Sequence, residues 1–530
     1  MTAPDDQSLS PLSFLIRSAA VWGDREAVRD GRRSWTYAEH HARVERLAGG
    51  LRTELGVEDG DRVALLLPNV PAALELHYAV PGAGAVIVPL NTRLAAAEYR
   101  YILEHSGASV VFCHRSLEGP CAEAVEGLPR RPRVVRVGEG AGGDDEYEGL
   151  AATAARAELR RPRDERALLS INYTSGTTGR PKGVMVSHRG AYLHSLGQVI
   201  EAGLTTRSRY LWTLPMFHCN GWCYTWAVTA AGAAHLCVPS VDPDALWQRL
   251  REERVSHFCA APVVINMLLE SEAASPCPEP VRAFVGGAPP SPALLERAEQ
   301  LNFAVTHLYG LTETYGPLMI CAWNPAWDDL SVAAQARLRA RQGVPTIVSE
   351  RARVVDAEMR DVPADGETTG EIVMRGNNVM LGYYRDPEAT VAAFSGDWFH
   401  SGDAGVMHPD GYIELRDRLK DVIVSGGENI AAVEIEQILV EHPNVAEAAV
   451  VGLADERWGE VPVAFVTPRG GGALDPDELR EFARSRLAGF KLPRRVEVVD
   501  DLPRTATGKV QKFVLRDRLS GGEDRPAPSP

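Results

Sequence analysis

The residues with the clearest chemical potential form a twelve-residue stretch, 173–184, which reads YTSGTTGRPKGV. It holds three glycines, four serine or threonine hydroxyls and two cations, and it follows the apolar segment 168–171. Glycines let successive backbone N–H groups turn towards an oxygen anion, hydroxyls donate hydrogen bonds, and a lysine neutralises charge. The stretch therefore predicts a loop that wraps phosphates.

This stretch is not the phosphate loop of kinases, because Pro181 precedes Lys182 and Gly183 follows it. It resembles instead the phosphate-loop signature of the adenylate-forming superfamily, which comprises acyl-CoA synthetases, peptide-synthetase adenylation domains and luciferases. Further signatures of that superfamily follow in the same order, so the resemblance covers essentially the whole chain. It implies a catalytic role for Lys182 and nucleotide-binding roles for the loop residues Thr174, Ser175, Gly176, Thr177, Thr178 and Gly179.

Two motifs in the middle of the chain imply an adenine and phosphate site. They are GGAPP at 286–290 and HLYGLTET at 307–314. By resemblance Tyr309 packs on adenine, Thr312 touches the α-phosphate and Glu313 helps to hold Mg²⁺, a hard cation that prefers carboxylate oxygens. Thr312 and Glu313 are thus further catalytic candidates. The nucleotide-binding residues implied here are Gly287, Ala288, Pro289, His307, Tyr309 and Gly310.

The last third of the chain carries four more matches. In WFHSGD (398–403), Asp403 would accept hydrogen bonds from the ribose hydroxyls. In DRLKD (417–421), Arg418 would contact ribose or phosphate, and Lys420 would be the hinge residue whose dihedral angles swing. The residues implied to flank the pantetheine channel of coenzyme A are Gly426, Gly427 and Glu428. The segment PRTATGK (503–509) resembles the loop whose lysine, here Lys509, catalyses adenylation.

The segment PMFHCNGW at 215–222 indicates coenzyme A as the acyl acceptor. It resembles the H-x-x-G-W stretch of acyl-CoA synthetases that act on medium-chain, branched or aromatic acids. His218 would then lie where the acyl pocket meets the thiol tunnel; a buried histidine that caps a strand end is the alternative interpretation. The residues predicted to line the acyl pocket border these motifs: Trp222, Cys223, Tyr224, Gly286, Leu311 and Thr314.

Two stretches depart from the pattern of the superfamily. Residues 348–351, VSER, stand where relatives usually carry a Pro-Gly turn, and Ala431-Ala432 replaces the usual small hydroxyl residues. Neither change removes a known catalytic group. Both leave open whether the two half-reactions run at full rate.

The elements that must position these motifs alternate between short apolar runs and helical patterns. Strands are predicted at 63–67, 86–90 and 110–113 and helices at 71–79 and 96–105, a βαβ rhythm typical of a mostly parallel, helix-covered sheet. Residues 138–148 are predicted to be a polar surface loop. The fold class is α/β: a large N-terminal domain, 1–417, and a small mobile α+β domain, 418–519, hinged near 420, with a disordered tail at 520–530.

Composition narrows the class of protein. With 530 residues, 45 % hydrophobic and 24 % charged, the chain is globular and long enough for two or more domains. A net charge of −15 disfavours nucleic acid and anionic membranes as partners. The eight cysteines lack a Cys-x-x-Cys pair, and the N-terminus lacks a signal-peptide pattern, so we expect a cytoplasmic protein without a zinc site or disulfide framework.

The resemblance implies that the chain converts a carboxylic acid, ATP and coenzyme A into acyl-CoA, AMP and pyrophosphate through an acyl-adenylate, with Mg²⁺. Two alternatives in the same family stay open: loading of a carrier protein, or a single half-reaction beside a partner enzyme. A non-catalytic nucleotide-binding protein is the alternative of another class, and a homodimer is compatible with the sequence. The acid itself cannot be predicted, because it depends on how apolar residues are placed in three dimensions.

Overall fold

The computed structural model describes residues 7–138, 145–174, 180–419, 421–425, 428–455, 457–504 and 510–519. The chain forms two compact units. The first comprises Met1–Arg351 and Arg375–Ser395, and the second comprises Ala352–Met374 and Gly396–Pro530. Residues 352–374 and 396–417 thus group with the C-terminal residues, whereas the sequence-based boundary lies at 418. That boundary, with its hinge at 420, stays a prediction.

The first unit contains a seven-stranded sheet that carries the phosphate-loop stretch. Its central strands are parallel, because each is followed by a helix that crosses back over the sheet. Only the edge next to the phosphate-loop stretch is antiparallel. In spatial order the strands are Gly382–Tyr383, Gly183–Ser187, Leu168–Tyr173, Val86–Pro89, Arg62–Leu66, Val110–His114 and Arg133–Val137.

A nine-stranded sheet in the same unit carries the 286–290 and 307–314 motifs. Six of its strands form a parallel run, and antiparallel strands complete both edges. In spatial order they are Val344–Pro345, Gly316–Ile320, Phe303–Leu311, Val281–Val285, His257–Ala260, Arg209–Leu211, Ala234–Cys237, Glu26–Asp30 and Arg33–Thr36.

Helices cover the sheets of the first unit. Sequence signals explain where several begin: Thr36 and Glu39 form a capping box for one helix, and Pro71 occupies the first turn of another, where its missing N–H costs nothing. The right-handed helices are Leu12–Trp22, Tyr37–Thr53, Pro71–Gly82, Ala96–Ser106, Glu118–Glu126, Glu146–Thr153, His188–Ala202, Tyr224–Ala230, Pro243–Glu252, Pro262–Glu270, Pro292–Gln300, Val332–Arg339 and Pro387–Ala393.

Both faces of the seven-stranded sheet are buried. Along one strand Val63 and Leu65 pack into one hydrophobic cluster, while Ala64 and Leu66 pack into another on the opposite face. This two-sided burial is what a parallel sheet requires, and it explains why these strands read as continuous apolar runs. The strand Leu168–Tyr173 of this sheet leads into the phosphate-loop stretch, and the strand Gly183–Ser187 follows it.

The second unit contains two smaller sheets. A four-stranded sheet has the order Ser349–Val355, Thr369–Gly376, Phe399–Met407 and Ile413–Arg418. A five-stranded sheet has the order Glu428–Ile430, Ile423–Ser425, Gly459–Pro468 and Val445–Asp455, and Arg495–Val498 pairs with Gly459–Pro468. The helices of this unit are Ala432–Val440, Pro476–Arg484 and Lys512–Leu519.

The structure confirms the α/β fold class, with a large unit of mostly parallel sheets and a smaller α+β unit. It corrects one local prediction. Residues 138–148 are not loop throughout, because the helix Glu146–Thr153 begins inside them, capped by the carboxylate of Asp145. Each of the eight cysteines is a buried free thiol. Among the described residues no helix is both long and apolar enough to span a membrane.

Candidate active site

The phosphate-loop stretch connects two antiparallel strands, and its described ends are hydrogen-bonded to each other. Thr174 donates its backbone N–H to the carbonyl of Lys182 at 3.0 Å, and Lys182 N–H returns to the Thr174 hydroxyl at 3.3 Å. A Cβ at Gly183 would lie 2.8 Å from the side chain of Ile171, so only glycine fits there. Residues 175–179, predicted to bind phosphates, lie outside the described residues.

Lys182 and Glu313 are joined by a tyrosine that the sequence analysis did not single out. The Lys182 ammonium lies 4.8 Å from the centre of the Tyr383 ring, a cation–π distance, and the Tyr383 hydroxyl donates to Glu313 Oε1 at 2.8 Å. Burial, and then the Glu313 carboxylate, raises the pKa of Tyr383 above its ordinary value, so the phenol stays protonated and keeps donating. Three residues far apart in sequence thus form one contiguous group.

Strand pairing explains why Tyr383 reaches this place. The short strand Gly382–Tyr383 adds to the sheet edge beside Gly183–Ser187, with Tyr383 opposite Val184. Met380 N–H also donates to the carbonyl of Glu313 at 2.8 Å. The sheet edge therefore fixes the distance between the phosphate-loop stretch and the 307–314 motif.

The 307–314 motif covers the carboxyl end of the strand Phe303–Leu311 and a single turn of 3₁₀-helix, Thr312–Thr314. The Thr314 hydroxyl holds this turn, because it accepts from Leu311 N–H at 2.8 Å and donates to the carbonyl of Gly316 at 2.7 Å. Thr314 is fully buried, whereas Leu311, Thr312 and Glu313 are half-buried. The turn therefore leaves the Glu313 side chain partly open to solvent.

His307 begins the same motif but is directed into the protein. Its Nδ1 lies 2.9 Å from the carbonyl oxygens of Ala340 and Arg341, and burial lowers its pKa to about 4. The ring is therefore neutral at pH 7 and donates from Nδ1. Its predicted contact with the nucleotide stays a prediction, as do those of Tyr309, Gly310 and the exposed residues Gly287 and Ala288.

The segment after His218 adopts a conformation that the sequence did not predict. Residues 219–223 all have positive φ, from 43° at Cys219 to 67° at Cys223, and only Gly221 among them is a glycine. A left-handed turn costs about 1–2 kcal/mol for each residue other than glycine, so surrounding contacts must hold it. One such contact is the Ser170 hydroxyl, which donates to Asn220 Oδ1 at 3.1 Å from the strand that leads into the phosphate-loop stretch.

This left-handed turn directs Trp222 between two glycines. A Cβ at Gly286 would lie 2.9 Å from the Trp222 ring, and a Cβ at Gly316 would lie 3.3 Å from Trp222 Cα. The predicted pocket residues Gly286 and Leu311 lie at the ends of neighbouring strands, and Trp222 packs against Gly286, whereas Cys223 and Tyr224 are fully buried in the core. Tyr224 stacks on Tyr210 with ring centres 4.9 Å apart. The pocket assignment itself stays a prediction.

His218 immediately precedes the left-handed turn. Burial of its ring lowers the pKa to about 4, so His218 is neutral at pH 7. Beside it, burial raises the pKa of the Cys219 thiol to about 12, although the Thr312 hydroxyl opposes that shift. Cys219 is thus a protonated thiol next to the 307–314 motif, and it lacks the low pKa of a nucleophilic cysteine.

In the second unit Asp403 and Arg418 form an ion pair. They are opposite each other on adjacent antiparallel strands, and Arg418 Nε lies 2.7 Å from Asp403 Oδ1. Asp403 is almost completely buried, and its N–H donates to the Ser401 hydroxyl at 3.0 Å. Two residues predicted separately as nucleotide ligands are therefore held together by strand register. The side chain of Glu428 and all of Lys420, Gly426, Gly427 and Lys509 lie outside the described residues.

The second unit also contains a buried cation, Lys512, that was not predicted. Its ammonium lies 2.9 Å from Glu436 and 3.8 Å from Asp417. Burial works against the charged lysine, but these two carboxylates outweigh it and raise the pKa of Lys512. Asp417 precedes the predicted hinge and Lys512 follows the predicted adenylation loop, so this ion pair joins the described ends of both segments.

Comparison with known proteins identifies the family. A family model described as AMP-binding enzyme matches residues 15–384, and one described as AMP-binding enzyme C-terminal domain matches residues 434–509. The chain belongs to the AMP-binding enzyme family. This membership confirms the resemblance to adenylate-forming enzymes that the motifs indicated.

Two relatives of this AMP-binding enzyme are named as CoA ligases. It is 42 % identical to a 2-methylpropanoate–CoA ligase of Humulus lupulus, with 97 % of this chain and 95 % of the relative covered. It is 44 % identical to an acetate–CoA ligase of the same plant, with 96 % and 94 % covered.

Two solved structures with the same fold contain ATP or an acyl-adenylate. ATP-bound MatB from Rhodopseudomonas palustris aligns with a TM-score of 0.84 at 29 % identity, covering 96 % of this chain and 99 % of that one. The o-succinylbenzoate CoA synthetase of Bacillus subtilis, in complex with its acyl-adenylate intermediate, aligns with a TM-score of 0.83 at 28 % identity, covering 98 % and 99 %.

Proposed function

We propose that this AMP-binding enzyme is an acyl-CoA ligase that joins a short carboxylic acid to coenzyme A through an acyl-adenylate. The observation that carries the proposal is the contiguous group of Lys182, Tyr383 and Glu313 at the end of the phosphate-loop stretch. In this group the Lys182 cation would bind the phosphates of ATP, and the Glu313 carboxylate would bind the cation that accompanies them. The CoA ligases among the relatives support the same class of reaction.

A carboxylate is a poor acyl donor, because attack on its carbon must expel oxide. In the first half-reaction the acid attacks the α-phosphorus of ATP and pyrophosphate leaves. Negative charge then grows on the α-phosphoryl and pyrophosphate oxygens, where Lys182, Thr312 and, by resemblance, Lys509 would stabilise it. In the second, the thiol of coenzyme A attacks the acyl carbonyl and AMP leaves.

Glu313 fits the role of magnesium ligand that the family implies. One carboxylate oxygen accepts from Tyr383, and the side chain is only half-buried. The described residues contain no cluster of three metal-ligating side chains, but Mg²⁺ bound mainly by substrate phosphates and water needs only one or two carboxylates. When bound there, Mg²⁺ would supply positive charge to the phosphates.

A short acid is favoured by the packing of Trp222. The indole fills the space beside Gly286, which is one of the residues proposed to line the acyl pocket. Trp222 is 5 % exposed and is held by the left-handed turn, so it cannot easily swing aside. The acids named for the two plant relatives, acetate and 2-methylpropanoate, are also short.

A panel of acids tests this proposal. Acetate, propanoate, butanoate, 2-methylpropanoate and octanoate are each supplied with ATP, Mg²⁺ and coenzyme A, and pyrophosphate and the thioester are measured separately. We expect both products with two- to four-carbon acids and little with octanoate. Pyrophosphate with no CoA thioester would favour carrier-protein loading instead. No product with any acid would favour a binding protein or an enzyme that needs a partner.

A further inference from the structure

The first unit has a polar groove on the side of the nine-stranded sheet opposite the candidate active site. The groove has a volume of about 910 Å³ and lies at the amino-terminal ends of the strands Arg209–Leu211, His257–Ala260 and Val281–Val285. The adenylation motifs follow the carboxyl ends of this sheet, since Gly286 comes directly after Val281–Val285. The groove is therefore separate from the site described above.

The groove is rich in guanidinium groups, although the whole chain has a net charge of −15. Among the described residues three glutamates line it as well, two of which already have cationic partners, and Glu26 beside the groove pairs with Arg29 and Arg209. Glu253 forms two hydrogen bonds with Arg249, and Glu279 lies 3.4 Å from an arginine of the groove. The lining arginines are Arg29, Arg207, Arg209, Arg254 and Arg282.

Arg282 is held in place by the end of a helix. The helix His188–Ala202 ends at Gly203, whose φ of 62° favours glycine, and a Cβ there would lie 2.4 Å from Arg282 Nη1. Arg282 Nη1 instead donates to the carbonyl of Ala202 at 2.9 Å. Its remaining N–H groups have no hydrogen-bond partner in the described part of the chain, so they are available to a ligand.

Among the other arginines, Arg207 leaves further donors for a ligand, whereas Arg29 and Arg209 are paired with Glu26 and Arg254 is paired with Glu279. The exposed guanidinium of Arg207 has no side-chain partner among the described residues. Arg29 Nε is buried without a hydrogen-bond partner in the same described part of the chain, an uncommon state for a charged donor. Three hydroxyl residues, Thr205, Ser208 and Ser256, complete the lining.

We propose that this groove binds a small polyphosphate anion such as pyrophosphate. Guanidinium groups bind phosphate oxygens through paired, charge-assisted hydrogen bonds, and hydroxyls add neutral donors. The lining is polar, and the one ring among its described residues, His257, is buried and accordingly offers no open face to a nucleotide base. Burial lowers the pKa of His257 to about 4, so this ring contributes no charge at pH 7. The inference rests on the first unit alone and does not depend on the proposed function.

Isothermal titration calorimetry of the full chain with inorganic pyrophosphate tests the groove. The test variant is Arg207→Ala combined with Arg282→Ala, and the matched control is Arg337→Ala, which removes an exposed arginine outside the groove. Pyrophosphate binding at the candidate active site is common to all three proteins. We expect the double variant to lose the binding event at the groove, or to bind pyrophosphate there at least tenfold more weakly. Arg337→Ala should match the wild type.

Equal numbers of events and equal affinities in the wild type and the double variant would overturn the proposal. ATP and coenzyme A, titrated in the same way, distinguish a small anion from the phosphates of a larger molecule. Binding at the groove by ATP or coenzyme A but not by pyrophosphate would also overturn the proposal. If the double variant does not fold, the single variant Arg207→Ala decides, because its side chain has no partner in the described residues, and at least fivefold weaker binding is expected.

Discussion

The hydrogen bond from Tyr383 to Glu313 is the least expected feature of the candidate active site and leads to the sharpest prediction. Tyr383→Phe removes only the hydroxyl and keeps the ring that lies against the Lys182 ammonium. A hydrogen bond to a charged group contributes about 1.5–3 kcal/mol when well buried. Both side chains here are half-buried, so we expect a loss of about 1–2 kcal/mol, or roughly five- to thirtyfold in kcat/KM for ATP.

The assay follows pyrophosphate release at limiting ATP and, separately, CoA thioester formation from a synthetic acyl-adenylate. The acyl-adenylate carries no departing phosphates, so Tyr383→Phe should leave the second reaction within about twofold of the wild type. Tyr384→Phe is the matched control, because it removes the hydroxyl of the neighbouring tyrosine. If Tyr383→Phe lowers the rates of both reactions equally, or lowers neither, the assignment of this group to ATP is refuted.

Three further perturbations probe the account at other places. Lys182→Ala should weaken ATP use more than thioesterification of a supplied adenylate, and equal losses would count against its contact with the departing phosphates. Trp222→Leu should shift the preferred acid from short to longer chains with the KM for ATP nearly unchanged; a variant that loses ATP binding but keeps its acid preference would contradict the pocket. Buried Glu75 forms an ion pair with Arg43. Burial raises the pKa of its carboxyl, but His40 and Arg43 outweigh burial and lower that pKa from 4.5 to about 2. Because the pKa of Glu75 is lower in the folded protein, its ionised form stabilises the fold by about 3 kcal/mol above pH 4.5, and this stabilisation is lost as pH falls towards 2. In denaturant unfolding, the free energy of unfolding of Glu75→Gln should fall less over this pH range than that of the wild type. Parallel curves of unfolding free energy against pH would disprove the assignment.

The sequence predicted the regular elements well because their signals are local. The predicted strand at 63–67 is observed as Arg62–Leu66, and the predicted helix at 71–79 is observed as Pro71–Gly82. Proline at a helix start, short apolar runs and alternation of the two element types are read from neighbouring residues. The helix Glu146–Thr153 was missed because it lies in a polar, glycine-rich stretch whose helical signal is weak.

The contacts that organise the candidate site could not be predicted in this way. Tyr383 meets Glu313 through strand register although the two residues lie 70 positions apart in sequence, and no local pattern encodes register. The left-handed turn at 219–223 was invisible for another reason. Three of its five residues, Cys219, Trp222 and Cys223, carry side chains that disfavour positive φ, so tertiary contacts such as that of Ser170 with Asn220 must impose it.

The altered stretch at 348–351 and the residue before it are held against a helix of the first unit. A Cβ at Gly197 would lie 2.8 Å from Val348, so the valine side chain fills the space against the helix His188–Ala202. Ile347 N–H donates to Glu201 Oε1 at 2.9 Å on the same helix. The stretch is therefore anchored, and its effect on the two half-reactions is a matter for kinetics.

The most direct test of the central claim measures the two half-reactions separately in the wild type and in Lys509→Ala. The account predicts that the wild type releases pyrophosphate with a short acid and ATP, and that it also converts a synthetic adenylate to the CoA thioester. Lys509→Ala should abolish the first reaction and leave the second largely intact, while a bulky replacement of Gly427 should do the reverse. If the wild type releases no pyrophosphate with any acid but consumes synthetic adenylates, the complete ligase is contradicted, and the protein is a thioesterification enzyme that needs a partner to make its adenylate.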